Sequence, residues 1–117
     1  MSSQDTPSGL TDAQYDQIIR ETLARIEATV DRWLEDDVAD IDAARTGGML
    51  TLALPNRSQL IVNAQPPLHE LWLAAKRGGF HFKYSAQGSW IDTKSGEEFF
   101  ALLSACASEQ LGKPVQF

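Results

Sequence analysis

The apolar residues of this chain change period twice, and that limits the folds open to it. Over residues 11–35, Tyr15, Ile18, Ile19, Leu23, Ile26, Val30, Trp33 and Leu34 recur at three- and four-residue spacing. That is the stripe of an amphipathic helix. After Gly47-Gly48 the period falls to two. In MLTLAL, Met49, Thr51 and Ala53 take one face and Leu50, Leu52 and Leu54 the other. After Ser95 the helical spacing returns in Phe99, Phe100, Leu102, Leu103, Cys106 and Leu111, and Gly112 and Pro114 close it. Thr11 with Gln14, and Ser95 with Glu98, predict a capping box at the start of each helix.

The middle segment divides into short strands at turn residues. PNRS separates MLTLAL from QLIVN, which predicts a hairpin. HELWLAA, after Pro66-Pro67, reads as a strand; KRGG, FHFKY, AQGS and WIDT follow as turn, strand, turn and strand. In FHFKY, Phe80, Phe82 and Tyr84 share one face, and His81 and Lys83 the other. The predicted fold is α+β. It is a two-layer α/β sandwich, with the N- and C-terminal helices on one face of a five- to six-stranded antiparallel sheet. The other sheet face stays in water. With 117 residues there is one core. Residues 1–10 are expected to be a loose tail and residues 11–117 a single domain.

Charge narrows the function. The net charge is −6, and all the excess lies at the start: residues 1–46 hold eleven acids and four bases. A nucleic-acid binder or an anionic-membrane binder needs a basic footprint, so neither partner is expected. Cations and basic protein surfaces remain. One cysteine, Cys106, excludes an internal disulfide framework and fits a reducing compartment. No secretory segment and no apolar run of the roughly 20 residues needed to cross a membrane is read, so a cytoplasmic protein is expected. No nucleophile elbow, glycine-rich phosphate loop or zinc-protease helix is present, and Cys106 reads as a buried structural thiol. A non-enzyme is expected.

Two surfaces stand out. On the first helix Glu27, Asp31 and Glu35 follow one another at four-residue spacing, and Asp16 extends the line. Neighbours on that line lie roughly 6 Å apart and repel by about 0.2–0.5 kcal/mol per pair. Asp16 and Glu21 have an arginine four residues on; Glu27, Asp31 and Glu35 have none within their line. Asp36, Asp37, Asp40 and Asp42 add to the same end, the last two on one side of an edge-strand lead-in. These carboxylates read either as a solvated face or as a shallow site for hard cations, which prefer oxygen ligands. The second surface is the open sheet face. With Leu71 and Leu73 inward, Trp72 points outward, in the company of Asn63, Gln65, His81 and Lys83. An exposed tryptophan among polar groups fits an interface anchor.

At these residues the sequence resembles a known family. GGMLTLALPNRSQLIVNAQPPLHELWLAAKRGGFHFKY and WIDTKSGEEFFALL are similar to the frataxins, closest to their bacterial branch, and the likeness covers about residues 11–115. The resemblance implies a sandwich of the order just derived. It implies a role in iron–sulfur cluster assembly, with iron, ferrous or ferric, held weakly at the acidic ridge. It also implies contact with the cysteine desulfurase and the scaffold protein, as iron donor or as regulator, and a monomer in the absence of metal. By position Asn63, Gln65 and Trp72 match the family's exposed sheet signature, Glu27 and Asp31 its acidic helix, and Asp40 and Asp42 its acidic first strand. Ala28 and Arg32 depart from it, standing where bacterial members often carry acids. The rival reading is an acidic protein-interaction module whose metal binding is incidental. A ferroxidase is disfavoured, because di-iron sites draw buried Glu and His from paired helices.

Overall fold

The computed structural model describes residues 9–117. Most of the expected tail lies outside that range; Gly9 is exposed and Leu10 packs against the core. The order is α1 (Asp12–Glu35), β1 (Asp42–Thr46), β2 (Met49–Ala53), β3 (Gln59–Gln65), a 3-10 turn over Pro66–Leu68, β4 (Glu70–Ala75), β5 (Gly78–Tyr84), β6 (Trp90–Asp92) and α2 (Phe99–Leu111). The six strands form one antiparallel meander in sequence order.

The helix α1 starts where its capping box predicts. The Thr11 hydroxyl accepts the Gln14 N–H at 3.1 Å, and the Gln14 side chain accepts the Thr11 N–H at 2.9 Å. Its buried stripe runs through Tyr15, Ile19, Leu23, Ile26, Val30 and Trp33. Leu34 departs from expectation: it is 58% exposed, while Thr22 and Thr29 are buried instead. Their hydroxyls donate to the Ile18 and Arg25 carbonyls one turn back, so burial leaves no polar atom unpaired.

The strands alternate as read. Leu50, Leu52, Leu60, Val62, Leu71, Leu73 and Phe82 point inward and meet both helices in one core. Burying a side chain of this size contributes about 1.5–3 kcal/mol. Cys106 is buried on α2, and burial pushes its thiol pKa up. The second capping box does not form. The Ser95 hydroxyl donates to Asp92 at 2.7 Å, and α2 begins later, with Glu98 as its own N-cap accepting the Phe100 and Ala101 N–H groups. Gly112 ends α2 in the left-handed region at φ 76°.

Beyond Gly112 the chain turns back between the helices. Ser108 Oγ both accepts the Val115 N–H and donates to the Val115 carbonyl. The Phe117 N–H donates to Ser104 Oγ, and the Phe117 ring lies 4.6 Å from Trp33. Two layers result, with helices on one side and a bare sheet face on the other. No described helix is long and apolar enough to cross a membrane.

Candidate functional site

The acidic flank is built by α1, its C-terminus and the run into β1. Asp16, Asp31, Glu35, Asp36, Asp37, Asp40 and Asp42 are all exposed. Among the described residues none of these seven makes an ion pair. Glu27 differs. Arg45 on β1 reaches its carboxylate at 2.5 Å, so Glu27 is neutralised from the sheet although its own helix line supplies no base. The base expected four residues after Glu21 also goes elsewhere, and Asp16 makes no ion pair with Arg20. Arg25 sits 3.7 Å over the Phe100 ring, and Glu21 accepts from Gln17 instead.

The α1 terminus carries two further oddities. Val38 N–H bonds the Trp33 carbonyl at 2.7 Å and Asp37 N–H the Leu34 carbonyl at 3.3 Å, the two bonds of a Schellman ending. Glycine normally occupies the left-handed position there; here it is Asp37, at φ 58°. Glu35, Asp36 and Asp37 also sit at the negative end of the helix dipole, where acids are unfavourable. Lys113 donates to the Val38 carbonyl beside them. Asp40 precedes β1 and does not lie within a strand; buried Ile41 separates it from Asp42, so both carboxylates still face solvent. Among the described residues no three His, Cys, Asp or Glu side chains converge into a metal cage.

The open sheet face carries two rows across β3, β4 and β5. One is Asn63, Trp72 and His81; the other is Gln65, Glu70 and Lys83. The Trp72 and His81 rings stack at 4.0 Å with planes 6° apart. The Trp72 indole N–H donates to Glu70 at 2.7 Å, and Lys83 Nζ stands 3.2 Å from the same carboxylate. Burial alone would raise the Glu70 pKa, but hydrogen bonds from Trp72 and Lys83 outweigh it and hold the group below the usual carboxylate range. Trp72 is half-buried rather than fully exposed, because His81 covers one of its faces. A shallow, mostly apolar depression of about 250 Å³ adjoins it, lined by Met49, Ile61, Asn63, Trp72, Phe80 and His81.

Glu70 and Met49 belong to this face although neither stood out in the sequence. The available signal was alternation: Glu70 lies two residues before Trp72, and Met49 shares its strand face with Thr51. Behind Glu70, Tyr15 ties α1 to the sheet. Its hydroxyl donates to the Glu70 carbonyl at 2.6 Å and accepts the Gln65 N–H at 3.0 Å. Burial above all pushes the Tyr15 pKa up to about 12. His69 stacks on Tyr15 and meets Asp12 at 2.7 Å, away from the Trp72 face.

Fold and surface define a class first: a helix–sheet–helix sandwich with an acidic flank and a bare polar-aromatic sheet face. The chain belongs to the frataxin family, whose model, described as a frataxin-like domain, matches residues 8–113. A relative from Delftia acidovorans, named iron-sulfur cluster assembly protein CyaY, is 50% identical over 109 residues, covering 92% of this chain and 97% of that one. The solved frataxin from Psychromonas ingrahamii is 36% identical, with a TM-score of 0.78 over 92% of this chain and 97% of its own. A trimeric yeast frataxin complexed with ferrous has the same fold, at 20% identity and a TM-score of 0.65 over 96% of this chain and all of that one.

Proposed function

We propose that this chain is a cytoplasmic accessory protein of iron–sulfur cluster assembly that works by binding rather than by catalysis. In this reading it docks the cysteine desulfurase–scaffold complex and carries or senses iron there. The observation that carries the proposal is the Asn63–Trp72–His81 row on the bare sheet face, with the indole fixed by Glu70. A tryptophan held in one rotamer loses little freedom on binding, which suits an anchor. Half-identity to a protein named for iron–sulfur cluster assembly supports the same role.

Iron would be cargo, held at Asp16, Asp31, Glu35, Asp36, Asp37, Asp40 and Asp42, with Glu27 available only when Arg45 lets go. Oxygen donors suit a hard cation in kind. Their dispersal suits a hydrated, weakly held one, since no three such groups converge among the described residues. Asn63, Gln65, Trp72 and His81 would meet the protein partner, and the acidic flank would steer a basic surface toward it.

The Arg45–Glu27 pair and the lack of a cage among the described residues favour a second reading, in which the flank serves protein docking and metal is incidental. Desulfurase and cluster-assembly rates, measured with and without this protein over a range of ferrous iron, separate the two. An effect that grows with iron and disappears in an Asp31→Lys/Glu35→Lys variant supports iron carriage. An effect of the same size at every iron level supports the docking module. No effect at any iron level overturns the proposal.

A further inference from the structure

The chain has two methionines, Met1 outside the described residues and Met49 at the start of β2. Met49 is 41% exposed, on the bare face of the sheet. Its cross-strand neighbour is Asn63, whose own neighbour is Trp72. Two strand spacings put Met49 roughly 10 Å from Trp72 along the row, and both line the same apolar depression. The other sulfur, Cys106, is buried with its thiol pKa pushed up, so it offers an oxidant neither access nor a thiolate.

We propose that Met49 is a reversible oxidation site that switches off the partner face. The inference rests on the reading of that face as the docking surface. Hydrogen peroxide is the oxidant. The thioether sulfur attacks one peroxide oxygen and the O–O bond breaks. A sulfur–oxygen bond forms, and the other oxygen leaves as water. Sulfur is oxidised by two electrons and peroxide is reduced by two. A methionine sulfoxide reductase with a thiol reductant reverses the step, releasing the oxygen as water and forming a disulfide. Oxidation replaces an apolar side chain at the rim of the depression by a strongly polar sulfoxide. A partner covering the depression must then dehydrate that oxygen without offering it a donor. Iron chemistry gives the switch its setting, because ferrous iron and oxygen generate peroxide, and docking would stop where peroxide accumulates.

The test uses the full chain and a purified cysteine desulfurase–scaffold complex as probe. After brief exposure to dilute hydrogen peroxide, peptide mapping should place one added oxygen on the Thr46–Arg57 peptide, which holds Met49. The oxidised protein should bind roughly tenfold more weakly, a change of about 1.4 kcal/mol, and regain its affinity after sulfoxide reductase. Met49→Leu should bind like the parent and ignore peroxide, and Met49→Gln should bind weakly without any oxidant. Exposure of this side chain predicts unchanged melting curves for both variants and for the sulfoxide form. The inference is overturned if Met49 stays reduced, if the sulfoxide form binds like the parent, or if Met49→Leu is equally peroxide-sensitive. If Trp72→Ala also binds like the parent, the face is not the interface, and the docking reading fails together with the switch.

Discussion

Glu70 and Trp72, two residues apart on β4, are joined by a hydrogen bond of 2.7 Å from the indole N–H to the carboxylate. The side chains therefore lie along the open face together, and His81 closes the other side of the indole at 4.0 Å. The ring is held before any partner arrives. Glu70 is only 8% exposed, so the bond matters to stability as well as to presentation.

Replacing Glu70 should test both roles. Glu70→Gln keeps an acceptor for Trp72 but loses the charge facing Lys83, and should lower stability by about 1 kcal/mol. Glu70→Ala leaves the half-buried indole N–H unpaired and should cost about 1–3 kcal/mol. The folded carboxyl titrates below its ordinary value. Its stabilising contribution is therefore complete above the unfolded value of about 4.3 and is lost as pH falls through the lower folded value. Asp92, held down by Ser95 and nearby N–H groups against the opposing pull of burial, acts with the same sign. Denaturant melts from pH 7 downward should show the parent losing stability over that acid range, with the Glu70→Gln variant losing less.

Asp37→Gly should raise stability by about 1 kcal/mol. It removes a side chain from the left-handed position of the α1 ending and an acid from the negative end of the helix dipole. Thermal unfolding should show a rise of a few degrees. No rise would mean the Asp37 carboxylate does structural work there.

Arg45→Ala should free the Glu27 carboxylate at little cost, within about 1 kcal/mol, since the pair is partly solvated. NMR titration with manganese or ferrous iron should then show broadening that extends along α1 to Glu27. In the parent, broadening should centre on Asp31 to Asp42. Identical maps for the two proteins would show that Arg45 does not gate the ridge.

Much of this was legible in the sequence because the signals were local and periodic. The Thr11–Gln14 box, the α1 stripe and the alternation around Leu71–Trp72–Leu73 each need only neighbouring residues, and together they place the helix and orient the indole. What the sequence hid depends on distance or competition. Arg45 and Glu27 are 18 residues apart and meet only when β1 packs beside α1. Ser95 looked like a helix cap, but Asp92 takes its hydroxyl, so Glu98 caps instead. Leu34 fits the stripe by spacing, yet α1 ends one residue later and Leu34 stays 58% exposed. The left-handed backbone of Asp37 shows only in three dimensions, because an aspartate carries no turn signal of a glycine's strength.

Phe117→Ala should destabilise by about 2–4 kcal/mol. The ring packs on Trp33, so the change loosens the strap between the two helices, while the backbone N–H bond to Ser104 Oγ remains. Deleting residues 115–117 should cost more, because the two Ser108 bonds go as well. Urea unfolding would show a lower midpoint in each case. An unchanged midpoint would show that the helices hold together without the strap.

The central claim is a division of labour, with the acidic flank steering and the Trp72 face anchoring. Association and dissociation kinetics against the desulfurase–scaffold complex at several salt concentrations test it most directly. Asp31→Lys/Glu35→Lys should slow association and flatten its salt dependence while leaving dissociation nearly unchanged. Trp72→Ala should speed dissociation, at a cost on the order of 2 kcal/mol, and leave the salt slope as in the parent. A folded Trp72→Ala variant that dissociates as slowly as the parent would contradict the account.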